Sequence, residues 1–128
     1  MMKNLLLSVL MMNAVTAVNA QEVMVKEKDG TYIVNTTSLA QDVEGYNGPT
    51  PVEIHIQKNK IVKVVALKSA ETPKYNARVK KDMLPKYEGM NVKQGTVADV
   101  DAVTGATFTS DAIKENVKRG VAYYKAHK

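Results

Sequence analysis

Hydrophobic and polar residues alternate most regularly in the middle of the chain. Val52, Ile54 and Ile56 are separated by polar side chains, and residues 61–67 form a second run rich in Val and Ile. A period of two is typical of β-strands with one buried face. Because the short polar segment 58–60 separates the two runs, the pattern predicts an antiparallel hairpin.

A weaker pattern of the same kind precedes this hairpin in residues 21–37. Val23 and Val25 alternate with polar residues, Asp29-Gly30 is a turn signal, and residues 32–36 are typical of a strand. We therefore predict a second hairpin-like pair at the start of the domain.

Two segments have the spacing of helices. Residues 74–88 predict a short helix limited by Pro85, with Ala77, Met83 and Leu84 facing inward. In the last segment, Thr109 or Ser110 is the predicted N-cap, and Asp111 would complement the positive helix end. The apolar face of this helix contains Ile113, Val117, Gly120, Val121 and Tyr124.

Together these elements predict an α+β fold. A small antiparallel sheet would pack against one or two helices, including the C-terminal helix.

The N-terminal residues 1–20 have the features of a signal peptide. Lys3 precedes a short apolar run, and Val18-Asn19-Ala20 offers small residues to a signal peptidase. The run is shorter than the ~20 apolar residues that span a membrane. We expect cleavage after Ala20, leaving residues 21–128 as one domain in the periplasm or cell envelope, free or membrane-associated. An uncleaved anchor is the alternative, and it would also export the domain.

Composition excludes several kinds of chemistry. The chain has no Cys, which excludes disulfides, thiol catalysis and cysteine-ligated clusters. The formal net charge is +5, and the densest basic group lies in residues 74–86. Nucleic acid is not an expected partner, because export and the lack of an aromatic-plus-basic pattern argue against it. His55 and His127 belong to no metal-ligand pattern, and no Ser has a His/Asp relay, so we predict no metal site and no catalytic residues.

The candidate chemistry lies just before the last helix. Thr104, Gly105, Ala106 and Thr107 place small and hydroxyl-bearing residues around one glycine. Such a backbone can approach a phosphate, and the following helix start supplies free N–H groups and a positive dipole. Many helices begin with Ser, Thr and Gly only as caps, so the residues alone leave both interpretations open.

Residues 101–107 resemble the flavin attachment motif of the FMN-binding domain family, Asp-x-x-Ser/Thr-Gly-Ala-Thr. That family includes flavin-carrying subunits of the sodium-pumping NADH:quinone reductase and of the Rnf electron-transport complex. Two further segments occur in the family's usual order, Gly-Tyr-x-Gly-Pro at 45–49 and Glu-Thr-Pro at 71–73. The resemblance covers about residues 44–124.

The resemblance implies specific roles. Thr107 would carry FMN through a phosphoester bond that a separate flavin transferase forms from FAD with magnesium, releasing AMP. Asp101 would belong to the recognition motif, although a loop Asp often only bonds nearby backbone. Thr72 would lie near the flavin, or simply end a strand before Pro73. Tyr46 could pack on the flat ring system or be an ordinary loop aromatic.

The implied function is an exported one-flavin electron carrier. It would exchange electrons with a redox partner protein or a membrane electron-transport complex, and is better described as a module than as a complete enzyme. The alternatives are a flavin-dependent reductase of an external small molecule and a flavin-free envelope binding module.

Overall fold

The computed structural model describes residues 22–128. The expected signal peptide, residues 1–20, lies outside the described part of the chain.

Four strands form one antiparallel sheet in the order β1-β2-β3-β4. Both hairpins that the alternation pattern predicts are confirmed. Lys58 and Asn59 connect the central pair with φ angles of 53° and 63°, the left-handed conformation that a tight hairpin turn requires. The strands are β1 (Met24–Lys26), β2 (Tyr32–Asn35), β3 (Val52–Gln57) and β4 (Lys60–Ala66).

Three helical segments follow the sheet: α1 (Pro73–Asp82), a 3₁₀ helix (Leu84–Tyr87) and α2 (Thr107–His127). Pro73 occupies the first turn of α1, where its missing N–H leaves no hydrogen bond unmade. Pro85 likewise sits in the first turn of the 3₁₀ helix, so it does not end α1 as the sequence predicted.

The predicted inward face of the first helix was only partly right. Met83 and Leu84 are buried as expected, but Ala77 is exposed and Val79 is buried in its place. Val79 and Met83 are four residues apart and therefore share a face, whereas Ala77 lies two positions from Val79 and faces away from it.

Helix α2 packs closely on one face of the sheet. All five residues of its predicted apolar face are buried. A Cβ added to Gly120 would overlap Ile54 Cδ1 of β3, so the glycine lets the helix approach the central strand. Beside this contact, the buried Thr36 hydroxyl donates to Asn116 Oδ1 at 2.6 Å.

The segment between β2 and β3 is also held by α2. Arg119 donates to the Asp42 carboxylate, with Nη1 2.6 Å from Oδ1, and to the Leu39 carbonyl. The hydrogen bond from Arg119 lowers the pKa of the Asp42 carboxyl below its usual value. The N-terminal hairpin and the segment after it are therefore part of the same packed unit as the C-terminal helix.

The predicted start of the last helix was wrong by a few residues. Helix α2 begins at Thr107 with Ala106 as N-cap, because both predicted caps are buried and bonded elsewhere. Thr109 Oγ donates to Glu71, and Ser110 Oγ accepts from the Val103 N–H. Asp111 lies beyond the first turn, which contains no acidic residue.

The fold is α+β: an antiparallel sheet, a covering C-terminal helix and a second, shorter helix. Among residues 22–128, no helix is both long and apolar enough to cross a membrane.

Candidate functional site

An open groove lies at the start of α2. Its volume is about 290 Å³, near the lower end of the roughly 300–1,000 Å³ range of small-molecule sites. The groove is therefore large enough for a flat ring system, with the remainder of a longer ligand reaching the surface. Its lining residues are Tyr46, Tyr75, Gly105, Ala106, Thr107, Phe108 and Thr109.

Three aromatic side chains form one side of this groove. Tyr46 and Phe108 are 60% and 68% exposed, and their rings lie at 26° to each other with centroids 6.4 Å apart. Tyr75 meets Tyr46 edge-on, with centroids 6.0 Å apart. Large exposed aromatic surfaces are typical of interaction sites, and a planar ligand is the shape that such rings accept.

The other end of the groove is suited to an anion. Thr107 is exposed and is the first residue of α2, whose N-cap makes no side-chain capping bond. The first N–H groups of a helix have no intrahelical partner and can receive an anion, and no residue of this first turn is acidic, although the buried Glu71 carboxylate lies beside the turn and accepts from the Thr109 hydroxyl. Gly105 supplies the positive φ of 83° that turns the chain into the helix.

Arg78 adds a positive charge beside this turn. Its guanidinium donates to the Thr104 carbonyl, and its Nη1 would lie 3.0 Å from a Cβ added to Gly105. From sequence Arg78 was only one member of the densest basic group, in residues 74–86. The structure places it next to the motif, since α1 and α2 pack against each other.

Glu71 connects the two parts of the groove, which are the loop that carries Tyr46 and the first turn of α2. Its carboxylate is buried and accepts hydrogen bonds from the Tyr46 N–H at 2.8 Å, from the Asn47 N–H and from the Thr109 hydroxyl at 2.6 Å. Sequence reasoning included Glu71 only as part of a three-residue motif and missed this role.

The structure separates the predicted site residues into two groups. Tyr46, Gly105, Ala106 and Thr107 line the groove, and Thr104 precedes them in the same turn. Thr72 and Asp101 do not line it, so they form the second group.

Thr72 is the N-cap of α1, and its hydroxyl accepts from Asn47 Nδ2 at 3.3 Å, next to the loop that carries Tyr46. Asp101 is exposed, and its carboxylate makes no hydrogen bond or ion pair within residues 22–128.

Sequence reasoning also missed the roles of Tyr75 and Phe108. Phe108 could have been found from its position, since it directly follows the last Thr of the motif and is the one Phe in the chain. Tyr75 had no such signal, because only the packing of α1 places it beside Tyr46.

The two histidines lie away from the groove. His55 Nε2 is 3.3 Å from Glu53 Oε1 on the same strand, and the His127 ring stacks on Tyr123 near the C-terminus. In the described part of the chain, no group of three or more His, Asp or Glu side chains could hold a metal ion.

Comparison with known proteins identifies the family. The profile of the FMN-binding domain family matches residues 45–122, which include every residue that lines the groove. No curated protein and no solved structure gives a significant match. Because the family profile covers more than half of the chain and its segments form the groove described above, this chain belongs to the FMN-binding domain family.

Proposed function

We propose that this domain carries one FMN in phosphoester linkage to Thr107 and acts as an electron-transfer module of the cell envelope. One observation carries the proposal. Thr107 is exposed, is the first residue of α2, and lines the same groove as the exposed rings of Tyr46 and Phe108.

The residues present fit the two ends of FMN. The flat ring system matches the aromatic side of the groove formed by Tyr46, Tyr75 and Phe108. The phosphate matches the free N–H groups of the helix start at Thr107 and the neighbouring Arg78 guanidinium. When bound, FMN supplies the redox chemistry, and the protein supplies position and electrostatics.

Attachment would require a separate flavin transferase acting on FAD. Thr107 Oγ would form a bond to the phosphorus of the FMN half, the diphosphate bond of FAD would break, and AMP would leave. The hydroxyl proton is lost, so the protein gains one FMN less one water. The exposure of Thr107 supports this step, because the hydroxyl must enter the active site of another protein.

An electron-transfer role is supported by the open groove. A ring packed against the exposed Tyr46 and Phe108 side chains would keep an edge at the surface, within reach of a redox partner protein or a membrane complex. Apart from the Tyr46 and Tyr75 hydroxyls, the lining of the groove contains no side chain that commonly exchanges protons with a small-molecule substrate. This composition favours a carrier over a reductase.

The direct test is coexpression with a flavin transferase. We expect a yellow protein whose intact mass increases by one FMN less one water and whose flavin remains attached after denaturation. The same protein expressed without transferase is the control and should be colourless after denaturation. A colourless product with an active transferase present would reject the covalent carrier and favour the flavin-free binding module.

Export is tested separately at the N-terminus. We expect protein isolated from its native host to be found in the envelope fraction and to begin at Gln21, because Val18-Asn19-Ala20 is suited to signal peptidase. N-terminal sequencing and fractionation measure both. A cytoplasmic protein that begins at Met1 would contradict the proposed location.

A further inference from the structure

The Glu71 carboxylate is buried between the loop that carries Tyr46 and the first turn of α2. Glu71 is only 5% exposed, and its oxygens accept from two backbone N–H groups, of Tyr46 and Asn47, and from the Thr109 hydroxyl. An ionised carboxylate only accepts hydrogen bonds, so it suits all of these donors at once. It makes no ion pair with a Lys, Arg or His side chain of residues 22–128.

The loop that carries Tyr46 is built around this carboxylate. A Cβ added to Gly45 would overlap Glu71 Oε1, so the backbone approaches the acid more closely than any other residue type would permit. The third donor, the Thr109 hydroxyl, belongs to the first turn of α2. Glu71 is thus the direct link between the Tyr46 loop and the helix that carries Thr107 and Phe108.

We propose that Glu71 is a positioning residue of the flavin site, which holds Tyr46 against Phe108 and places a fixed negative charge behind the groove. The inference rests on the proposed function for the identity of the ligand. The negative charge of Glu71 would affect the reduction potential of a bound flavin, because electrostatic interactions are strong where water is excluded. A negative charge behind the groove disfavours the addition of electrons to a flavin bound there, so Glu71 would keep the reduction potential low.

The positioning role can be tested without flavin. Glu71→Gln keeps the size of the side chain but replaces one acceptor oxygen by an NH₂ group, which cannot accept from the loop. Because the Tyr46 and Asn47 amides bond to different oxygens of Glu71, we expect hydrogen exchange of at least one of them to become faster by about tenfold or more, as expected when a bond to a charged acceptor is lost. The amides of β3 should be unchanged. Undiminished protection of the two loop amides would overturn the proposal.

A matched control separates this effect from a general loss of stability. The Tyr124 hydroxyl donates to Asn59 Oδ1 at 2.7 Å, at the opposite end of α2. Tyr124→Phe removes one side-chain hydrogen bond of the same helix and should leave the Tyr46 and Asn47 amides as in wild type. Equal acceleration in both variants would show that the loop responds only to global stability and would refute a positioning role.

Thr109→Val provides a second variant, should Glu71→Gln not fold. This substitution removes the hydroxyl that donates to Glu71 and leaves the Glu71 carboxylate in place. We expect severalfold faster exchange of the Tyr46 amide, since one of the bonds that orient the carboxylate is lost. Unchanged exchange would contradict the proposed link between loop and helix.

The charge is tested on the flavin-loaded protein by potentiometric titration. We expect a higher midpoint potential for Glu71→Gln than for wild type, and an unchanged potential for Tyr124→Phe. Equal potentials in all proteins would overturn the electrostatic part of the proposal. Failure of wild type to take up flavin would reject the proposed function alone, since the amide-exchange result for Glu71 stands without flavin.

Discussion

We expect Thr107→Ala to abolish the covalent flavin completely. Thr107 supplies the proposed acceptor oxygen, and Ala removes it without changing the groove's backbone. Because Thr107 is exposed and its hydroxyl makes no hydrogen bond within residues 22–128, the free energy of unfolding should change by less than about 0.5 kcal/mol. Intact mass and in-gel flavin fluorescence after coexpression with the transferase measure the first effect, and urea denaturation measures the second.

Two neighbouring threonines provide matched controls. The Thr104 side chain is exposed, and Arg78 contacts its carbonyl and not its hydroxyl; because Thr104 belongs to the proposed attachment motif, Thr104→Ala should at most slow attachment, and the flavin that attaches should be on Thr107. Thr109 is buried and donates to Glu71, which keeps its hydroxyl away from an incoming enzyme. Thr109→Val should therefore also retain covalent flavin. A peptide map that places the flavin on either residue, or a Thr107→Ala protein that stays yellow after denaturation, would show that the site is assigned wrongly.

The largest effect on stability is expected from Ile54→Ala. Ile54 is 0% exposed at the centre of β3 and reaches the gap that Gly120 leaves in α2. Its truncation removes contacts to both the sheet and the helix, and should lower the free energy of unfolding by about 2–5 kcal/mol. Urea denaturation monitored by circular dichroism measures the change.

Val62 provides the control on the neighbouring strand. It lies in β4 and is 47% exposed. Val62→Ala removes apolar groups from a strand but leaves little cavity, so its cost should remain below about 1 kcal/mol. If the two variants lost similar stability, the packing of α2 over β3 would not be the main source of stability in this domain.

The sequence by itself determined the elements of the sheet and its class of fold. Strand periodicity is a local property, so Val52, Ile54 and Ile56 predicted β3 and its partner nearly to the residue. The buried face of α2 was equally readable, because its apolar residues repeat at helical spacing. The motif at 101–107, together with the segments at 45–49 and 71–73, was enough to predict the family that the profile match confirms.

The composition of the site was decided by the tertiary structure. Tyr46, Tyr75 and Phe108 lie far apart in sequence and meet only because α1 and the 45–48 loop pack against the start of α2. The helix begins at Thr107, earlier than its capping residues indicated, because tertiary hydrogen bonds to Glu71 and Val103 use the hydroxyls of the local candidates. Local propensity describes what a hydroxyl can do near its own backbone, but which partner it bonds depends on what the fold brings within reach. For the same reason no sequence pattern identified Glu71, whose partners are 24 to 38 residues away.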